Sequence, residues 1–205
     1  MSKITLTLVP DGPRRCGGCT LCCKLLPMHQ DVTGRRGLPD FDKPAGTRCP
    51  HQRAGKGCAI YHRRPGCCAF WNCRWLGNAE ETADLRRPDR AHYVIDIMPD
   101  FITLRDPVEH GGQEANVEVV QVWVDPGYRD AHKDPALRDY LARRGEQGIA
   151  AIIRYSGDDA FVLFPPAMTQ NGTWKEEHGG TPLAESNITE RWDALANTQR
   201  VKVPS

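Results

Sequence analysis

Nine cysteines fall between Cys16 and Cys73, and none follows. They are Cys16, Cys19, Cys22, Cys23, Cys49, Cys58, Cys67, Cys68 and Cys73, in the strings CGGCTLCC, TRCPH, GCAIY and CCAFWNC. A core does not need thiols bunched this way, because Val or Leu fills the same space without the redox hazard. A metal centre does need them. A tetrahedral site takes four soft ligands, and two thiolates on a Cys-x-x-Cys turn reach one ion together. Eight thiols suffice for two all-sulfur zinc sites, or for one or two iron–sulfur clusters.

The adjacent pairs complicate the count. In extended backbone, neighbouring side chains point to opposite sides. Cys22 and Cys23 therefore either serve two different metals, or one of them is a buried thiol. Cys67 and Cys68 pose the same choice. A compact two-centre arrangement is favoured over a single centre with spare thiols.

Spacing does not separate zinc from iron. Zinc is the commoner structural metal, and the opening motif lacks the Cys-Pro ending of the bacterial ferredoxin run. The surrounding Gly17, Gly18, Phe70, Trp71 and Trp75 suit a protected cluster, since burial tunes its potential. An iron or iron–sulfur centre is placed slightly ahead of zinc.

The strings CGGCTLCC, Cys49 and GCAIYHRRPGCCAF together resemble the bacterial CxxCxxCC family of zinc- or iron-chelating proteins, over roughly residues 14–76. Cys16, Cys19, Cys22 and Cys23 match its first motif. Cys58, Ile60, Tyr61, Arg64, Pro65 and Cys68 match its second, and Cys49 fits the intervening cysteine. The resemblance implies chelation and no particular reaction. With Cys73 added, the expected ligands are Cys16, Cys19, Cys22, Cys23, Cys49, Cys58, Cys68 and Cys73. Cys67 occupies a variable position and is expected to be the most dispensable. Flagellin lysine N-methylases carry a related cysteine cluster, but no glycine-rich cofactor loop here supports methyl transfer.

His51 and His62 are alternative ligands; a solvent-facing or supporting role suits them better, since thiols already suffice. Pro65 is expected to fix a turn, Tyr61 to pack, and Arg64 to hydrogen-bond carbonyls or thiolate sulfurs. No histidine and third residue stand ready to activate a cysteine nucleophile. Asp96, Asp100 and Asp106 read as turn or strand-face acids, and Trp123 and Trp174 as packing residues.

The elements that must hold these residues change character along the chain. Residues 10–80 are rich in Gly and Pro and poor in apolar periodicity, with a short helical turn at Leu21 to Leu26. This segment is expected to fold around its metal. A short strand is expected around Ile4, Leu6 and Leu8. Further on, HYVIDIM, Phe101 to Arg105, and Val117 to Val124 read as strands. Val120, Val122 and Val124 share one face with Glu118; Val117, Val119 and Trp123 share the other with Gln121. Both faces are mostly apolar, as in a strand covered on both sides.

Asp134-Pro135 opens a helix through Leu137, Tyr140, Leu141 and Arg144, which Gly145 stops. Ile149 to Tyr155 and Ala160 to Phe164 flank a turn as a hairpin. A last helix is expected over Ile188 to Ala196, capped by Asn187. The fold class is α+β: a cysteine-rich, turn-rich metal-binding module over residues 1–80, then a small, mostly antiparallel sheet with one or two helices over residues 81–205, packed against it.

Charge and compartment narrow the partners. Net charge is +1, which argues against a nucleic-acid partner. The first 80 residues carry thirteen Lys and Arg against five Asp and Glu. That excess suits either a protein or anionic partner, or internal compensation of thiolate charge. No apolar run reaches membrane-span length, and no signal-peptide pattern opens the chain. The expected compartment is the cytosol, where thiols stay reduced, so a disulfide-stapled module is the lesser reading. The functional expectation is metal chelation with a redox or modifying role. The alternatives are a structural zinc module in an interaction protein, and an iron-dependent enzyme.

Overall fold

The computed structural model describes residues 14–28, 43–65, 68–69, 71–97, 100–105 and 114–178. The expected strand around residues 4–8, the helix at 188–196, and Cys67, Phe70 and Asp106 lie outside the described residues.

The first part is built from short pieces. Helix α1 spans Leu21–Leu25. Strands β1 (Gln52–Arg53) and β2 (Gly57–Cys58) pair antiparallel, followed by a 3-10 turn at Tyr61–Arg63. Helices α2 (Arg74–Gly77) and α3 (Pro88–Ala91) are single turns. None is long enough to be stable alone. They are held by what they pack against.

That support is a sheet of β3 (Tyr93–Ile95), β4 (Asp100–Arg105), β5 (Glu114–Val124), β6 (Ala150–Arg154), β7 (Ala160–Phe164) and β8 (Lys175–Glu177). The order is β3-β5-β6-β7-β8, and β4 also pairs with β5. Tyr93 faces Val124 and Asp100 faces Val119, so β3 and β4 lie end to end along one edge of β5. All pairs are antiparallel except β5–β6. That parallel pair needs a crossover, supplied by the 3-10 segment Pro126–Lys133 and helix α4 (Pro135–Gly145). The architecture is α+β with a mostly antiparallel sheet.

Of the expected strand from His92 to Met98, Tyr93–Ile95 is strand and Met98 lies outside the described residues. His92 takes a left-handed conformation (φ 61°) as the C-cap of α3, which sets the start. β5 begins earlier than expected, at Glu114. The hairpin of β6 and β7 forms as expected, with Arg154 facing Ala160. Asp134 caps α4 as expected, accepting from the Ala136 amide at 3.1 Å. Gly145 has a different role from a left-handed stop. It is the last helical residue, and a Cβ there would lie closer than 3.0 Å to the Pro165 ring. Glycine is needed for that close approach.

β5 is covered on both faces along its C-terminal half. Val120, Val122 and Val124 pack with Leu137, Tyr140 and Leu141 of α4. On the opposite face, Val94 and its cross-strand partner Trp123 pack with Leu21, Leu25, Leu26, Cys73 and Leu76. The cysteine-bearing segment thus closes one face of the sheet. Beside Trp123 on this face lies a buried polar strip. Arg154 Nε donates to Gln121 Oε1 at 3.0 Å, and the Gln121 amide donates to Asp100. Asp96 accepts from Trp71 Nε1 at 2.8 Å, tying the strip to the cysteine segment. Asp96 and Asp100 are therefore buried hydrogen-bonding groups, a role their turn-like sequence setting did not announce.

A second tie is ionic. Lys24 Nζ on α1 lies 2.6 Å from both carboxylate oxygens of Asp125. Burial alone would raise the Asp125 pKa, but Lys24 and the Gly127 amide outweigh it and hold it below the usual range. A depressed folded pKa stabilises above the unfolded value of about 3.9, and that contribution fades as pH falls through the folded value. Lys24 is 28% exposed, so water screens the pair. Asp125→Asn is expected to cost about 1–2 kcal/mol at neutral pH. Urea unfolding of both proteins should show that gap closing in acid. A gap of equal size at about pH 7 and about pH 3 would contradict the pairing.

Candidate metal centre

Four stretches of chain carry the described cysteines, and Cys16, Cys19, Cys22 and Cys73 pack against the Val94–Trp123 face of the sheet. The first is a tight turn, in which the Cys19 amide donates to the Cys16 carbonyl at 2.8 Å. It leads into α1, which carries Cys22 and Cys23. These two lie in helical backbone, so their directions diverge by about 100° rather than the half-turn of a strand.

Cys49 arrives on the second stretch and is fixed by its amide, which donates to the Cys23 carbonyl at 2.9 Å. Cys58 ends the β1–β2 hairpin opposite Gln52, whose amide bonds the Cys49 carbonyl at 3.0 Å. The third stretch brings Cys68, whose Sγ lies 3.4 Å from Met28 Sδ. The fourth is the start of α2. Buried Cys73 caps it, its carbonyl accepting from Leu76 and Gly77.

Glycines make the convergence possible. A Cβ on Gly18 would fall closer than 3.0 Å to the Gly55 carbonyl oxygen. A Cβ on Gly57, at φ 88°, would strike the Gly17 oxygen just as closely. The CGGC turn and the β1–β2 turn therefore meet backbone to backbone, which brings Cys58 alongside the first motif.

All eight described cysteines are free thiols. Burial is the largest influence raising Cys16, Cys19, Cys49 and Cys73, the last to about 12. Cys22 is raised well above the ordinary range because its thiol donates to Cys23 and is buried. Cys23 moves the other way, to about 7, because it receives that hydrogen bond and faces Lys43 and Arg64. The thiols also feel one another: Cys19 and Cys23 raise Cys16, Cys73 and Cys16 raise Cys22, and Cys23 and Cys58 raise Cys49. Such a cluster holds protons until a cation displaces them.

Cations stand around the thiols. Buried Lys43 donates to the carbonyls of Leu26, Pro44 and Thr47 and faces Cys49, Cys23, Cys22 and Cys68. Arg87, paired with Asp89, faces Cys16 and Cys19. Arg14 bonds the Trp75 and Thr82 carbonyls at 2.9 Å. Much of the basic excess is thus spent inside the fold. Arg64 stacks on Tyr61 and bonds its carbonyl at 3.0 Å, as expected. His62 is exposed and packs edge-on against Tyr61. His51 contributes its carbonyl to Ala59 and its amide to the Cys49 sulfur. Trp71 and Trp75 cover the apolar side of the thiols, and Trp123 and Trp174 pack as expected. Sequence reading missed Lys43 and the Lys24–Asp125 and Trp71–Asp96 ties. Nothing local marks them, because each partner comes from elsewhere in the chain.

Among the described residues, no three His, Cys, Asp or Glu side chains stand as a group that could hold an ion. Thiols are the kind of donor a soft metal takes. No helix among the described residues is long and apolar enough to cross a membrane. No family model, curated protein or solved structure matches the chain.

Proposed function

We infer that this chain is a metal-chelating protein of the CxxCxxCC type that binds iron, either as the ion or as an iron–sulfur cluster, slightly ahead of zinc. The observation that supports the reading is that eight free thiols come from four stretches of chain, and that Cys16, Cys19, Cys22, Cys23, Cys49, Cys58 and Cys73 lie near enough to influence one another. The residues that would hold the metal are Cys16, Cys19, Cys22, Cys23, Cys49, Cys58, Cys68 and Cys73. Bound there, iron would supply electron transfer or Lewis acidity, whereas zinc would supply structure alone.

The chain's own residues prepare the place. Lys43, Arg64 and Arg87 offset thiolate charge. Trp71 and Trp75 keep water from one side. The reading also places the protein in the cytosol, where such thiols remain reduced.

Thiolate iron–sulfur centres absorb visible light, and zinc, being d¹⁰, does not. Protein purified without oxygen from iron-replete cells is expected to be brown and to contain acid-labile sulfide. Stoichiometric zinc with neither iron nor sulfide in that sample would reject iron and leave a structural zinc module. Zinc in an aerobic preparation decides nothing between them, since it can replace a lost cluster.

A further inference from the structure

We propose that the cavity between the 3-10 segment Pro126–Lys133 and β8 binds a small free amino acid, its ammonium held between His132 Nε2 and the Glu176 carboxylate and its carboxylate turned towards Lys133 and Arg129. No cysteine lines this cavity, so the inference stands apart from the metal-binding reading.

The cavity has a volume of about 190 Å³. At its back lies His132, whose side chain is only 7% exposed. Its Nδ1 sits 2.6 Å from the Arg129 carbonyl oxygen. A carbonyl only accepts, so Nδ1 carries the ring proton and Nε2 is left as a bare acceptor. The Tyr155 hydroxyl donates to the same carbonyl at 3.2 Å and braces the arrangement. Burial, reinforced by Arg138 and Lys133, holds the His132 pKa below its ordinary value, so the ring is neutral near pH 7.

The group facing Nε2 is Glu176 Oε1 of β8, at 4.0 Å. Among the described residues, no hydrogen bond reaches Nε2 or either Glu176 carboxylate oxygen. Arg138 Nη2 stops 3.8 Å short of Oε1, because its Nε donates to the His132 carbonyl at 3.0 Å and its guanidinium lies over the Trp174 ring. His178 Nε2 is 3.6 Å from Oε2, also too far for a hydrogen bond. Two acceptors thus face each other with no donor between them. One atom bonded to both at about 2.8–3.0 Å would see them roughly 85–90° apart. A hydroxyl has a single hydrogen and serves only one of them. An ammonium has three, and its charge suits the carboxylate.

The opposite charge is met at the rim. Lys133 pairs with Asp130 at 2.7 Å and Arg129 with Asp159 at 2.8 Å, and all four side chains are exposed. Pairs so exposed are weak, so either cation can turn to a ligand carboxylate. Tyr155 and Phe161 supply aromatic wall. The volume lies below the roughly 300–1,000 Å³ of sites for drug-sized molecules, which restricts the ligand to a few heavy atoms.

The test is titration of the isotope-labelled chain with L-alanine, ethylamine and acetate, read through the His132 ring nitrogens by NMR. L-alanine is expected to move the Nε2 resonance saturably. Ethylamine should do so at about tenfold higher concentration, and acetate not at all. Glu176→Gln is expected to weaken L-alanine at least about tenfold, and Lys133→Met to weaken L-alanine while leaving ethylamine unchanged. The wild-type titrations need no variant. An Nε2 resonance that answers none of the three probes up to about 50 mM would mean a cavity that holds water only, and would overturn the proposal. So would acetate acting as strongly as L-alanine, or L-alanine binding equally to wild type and Glu176→Gln.

Discussion

Stripped of metal under reducing conditions, the protein is expected to lose amide protection first across residues 14–28 and 43–65, with its thiols open to alkylation. The sheet of β5, β6 and β7 with α4 should hold longer. The physical reason is the inequality of the two parts. The sheet buries a continuous core of Val, Ile, Leu and Tyr on the α4 face. The cysteine-bearing part has a five-residue helix, a hairpin of two-residue strands and a few buried leucines. So little apolar burial does not offset backbone ordering entropy of about 1–2 kcal/mol per residue. Structural zinc in small domains contributes on the order of 10 kcal/mol or more. The effect should therefore be large. Hydrogen exchange followed by mass spectrometry reads it directly. Native protection in residues 14–28 and 43–65 of stripped, reduced protein would show that the fold there does not depend on metal.

Gly18→Ala is expected to be a strongly damaging single-methyl change in the cysteine-bearing part. The added Cβ would meet the Gly55 carbonyl closer than 3.0 Å, and its carbon at 2.9 Å. Both are backbone atoms, so no side chain can swing away. Overpacking of this kind costs about 1–3 kcal/mol, and backbone contact puts this case at the upper end. The turn must lift off the β1–β2 turn, which also parts Cys58 from the first motif, so metal content should fall as well.

Gly55→Ala is the internal comparison. Gly55 sits in the same contact at φ 67°, but its own Cβ would point into open space. It should cost only the left-handed backbone penalty of about 1–2 kcal/mol and retain metal. Chemical denaturation and metal analysis of both variants separate the two effects. Equal metal loss from the two would argue against the close approach as the cause.

The single sequence was informative wherever the cause of structure is local. Thiol spacing alone raised the expectation of a metal-type donor set at Cys16–Cys23 and Cys58–Cys68, and Leu21 to Leu26 read as a helical turn where α1 lies. Alternation along Val117–Val124 announced a strand covered on both faces, because side chains repeat every two residues whatever the rest of the chain does. Asp134-Pro135 announced the start of α4 through capping chemistry contained within its first turn.

What depended on distant contacts was settled only by the tertiary structure. The backbone meeting of Gly18 with Gly55 and of Gly57 with Gly17 joins turns far apart in sequence. Lys24 found Asp125, and Trp71 found Asp96, across the gap between the helix and the sheet. The parallel pairing of β5 with β6 arose from a crossover that strand patterns do not encode. The direction of Cys22 relative to Cys23 turned on whether the segment Leu21–Leu25 was helical. It became helical because Leu21 and Leu25 bury against Val94 and Trp123, a surface supplied by residues some seventy to a hundred positions later. The sequence therefore determined which thiols the chain carries, while long-range packing decided which of them lie near one another.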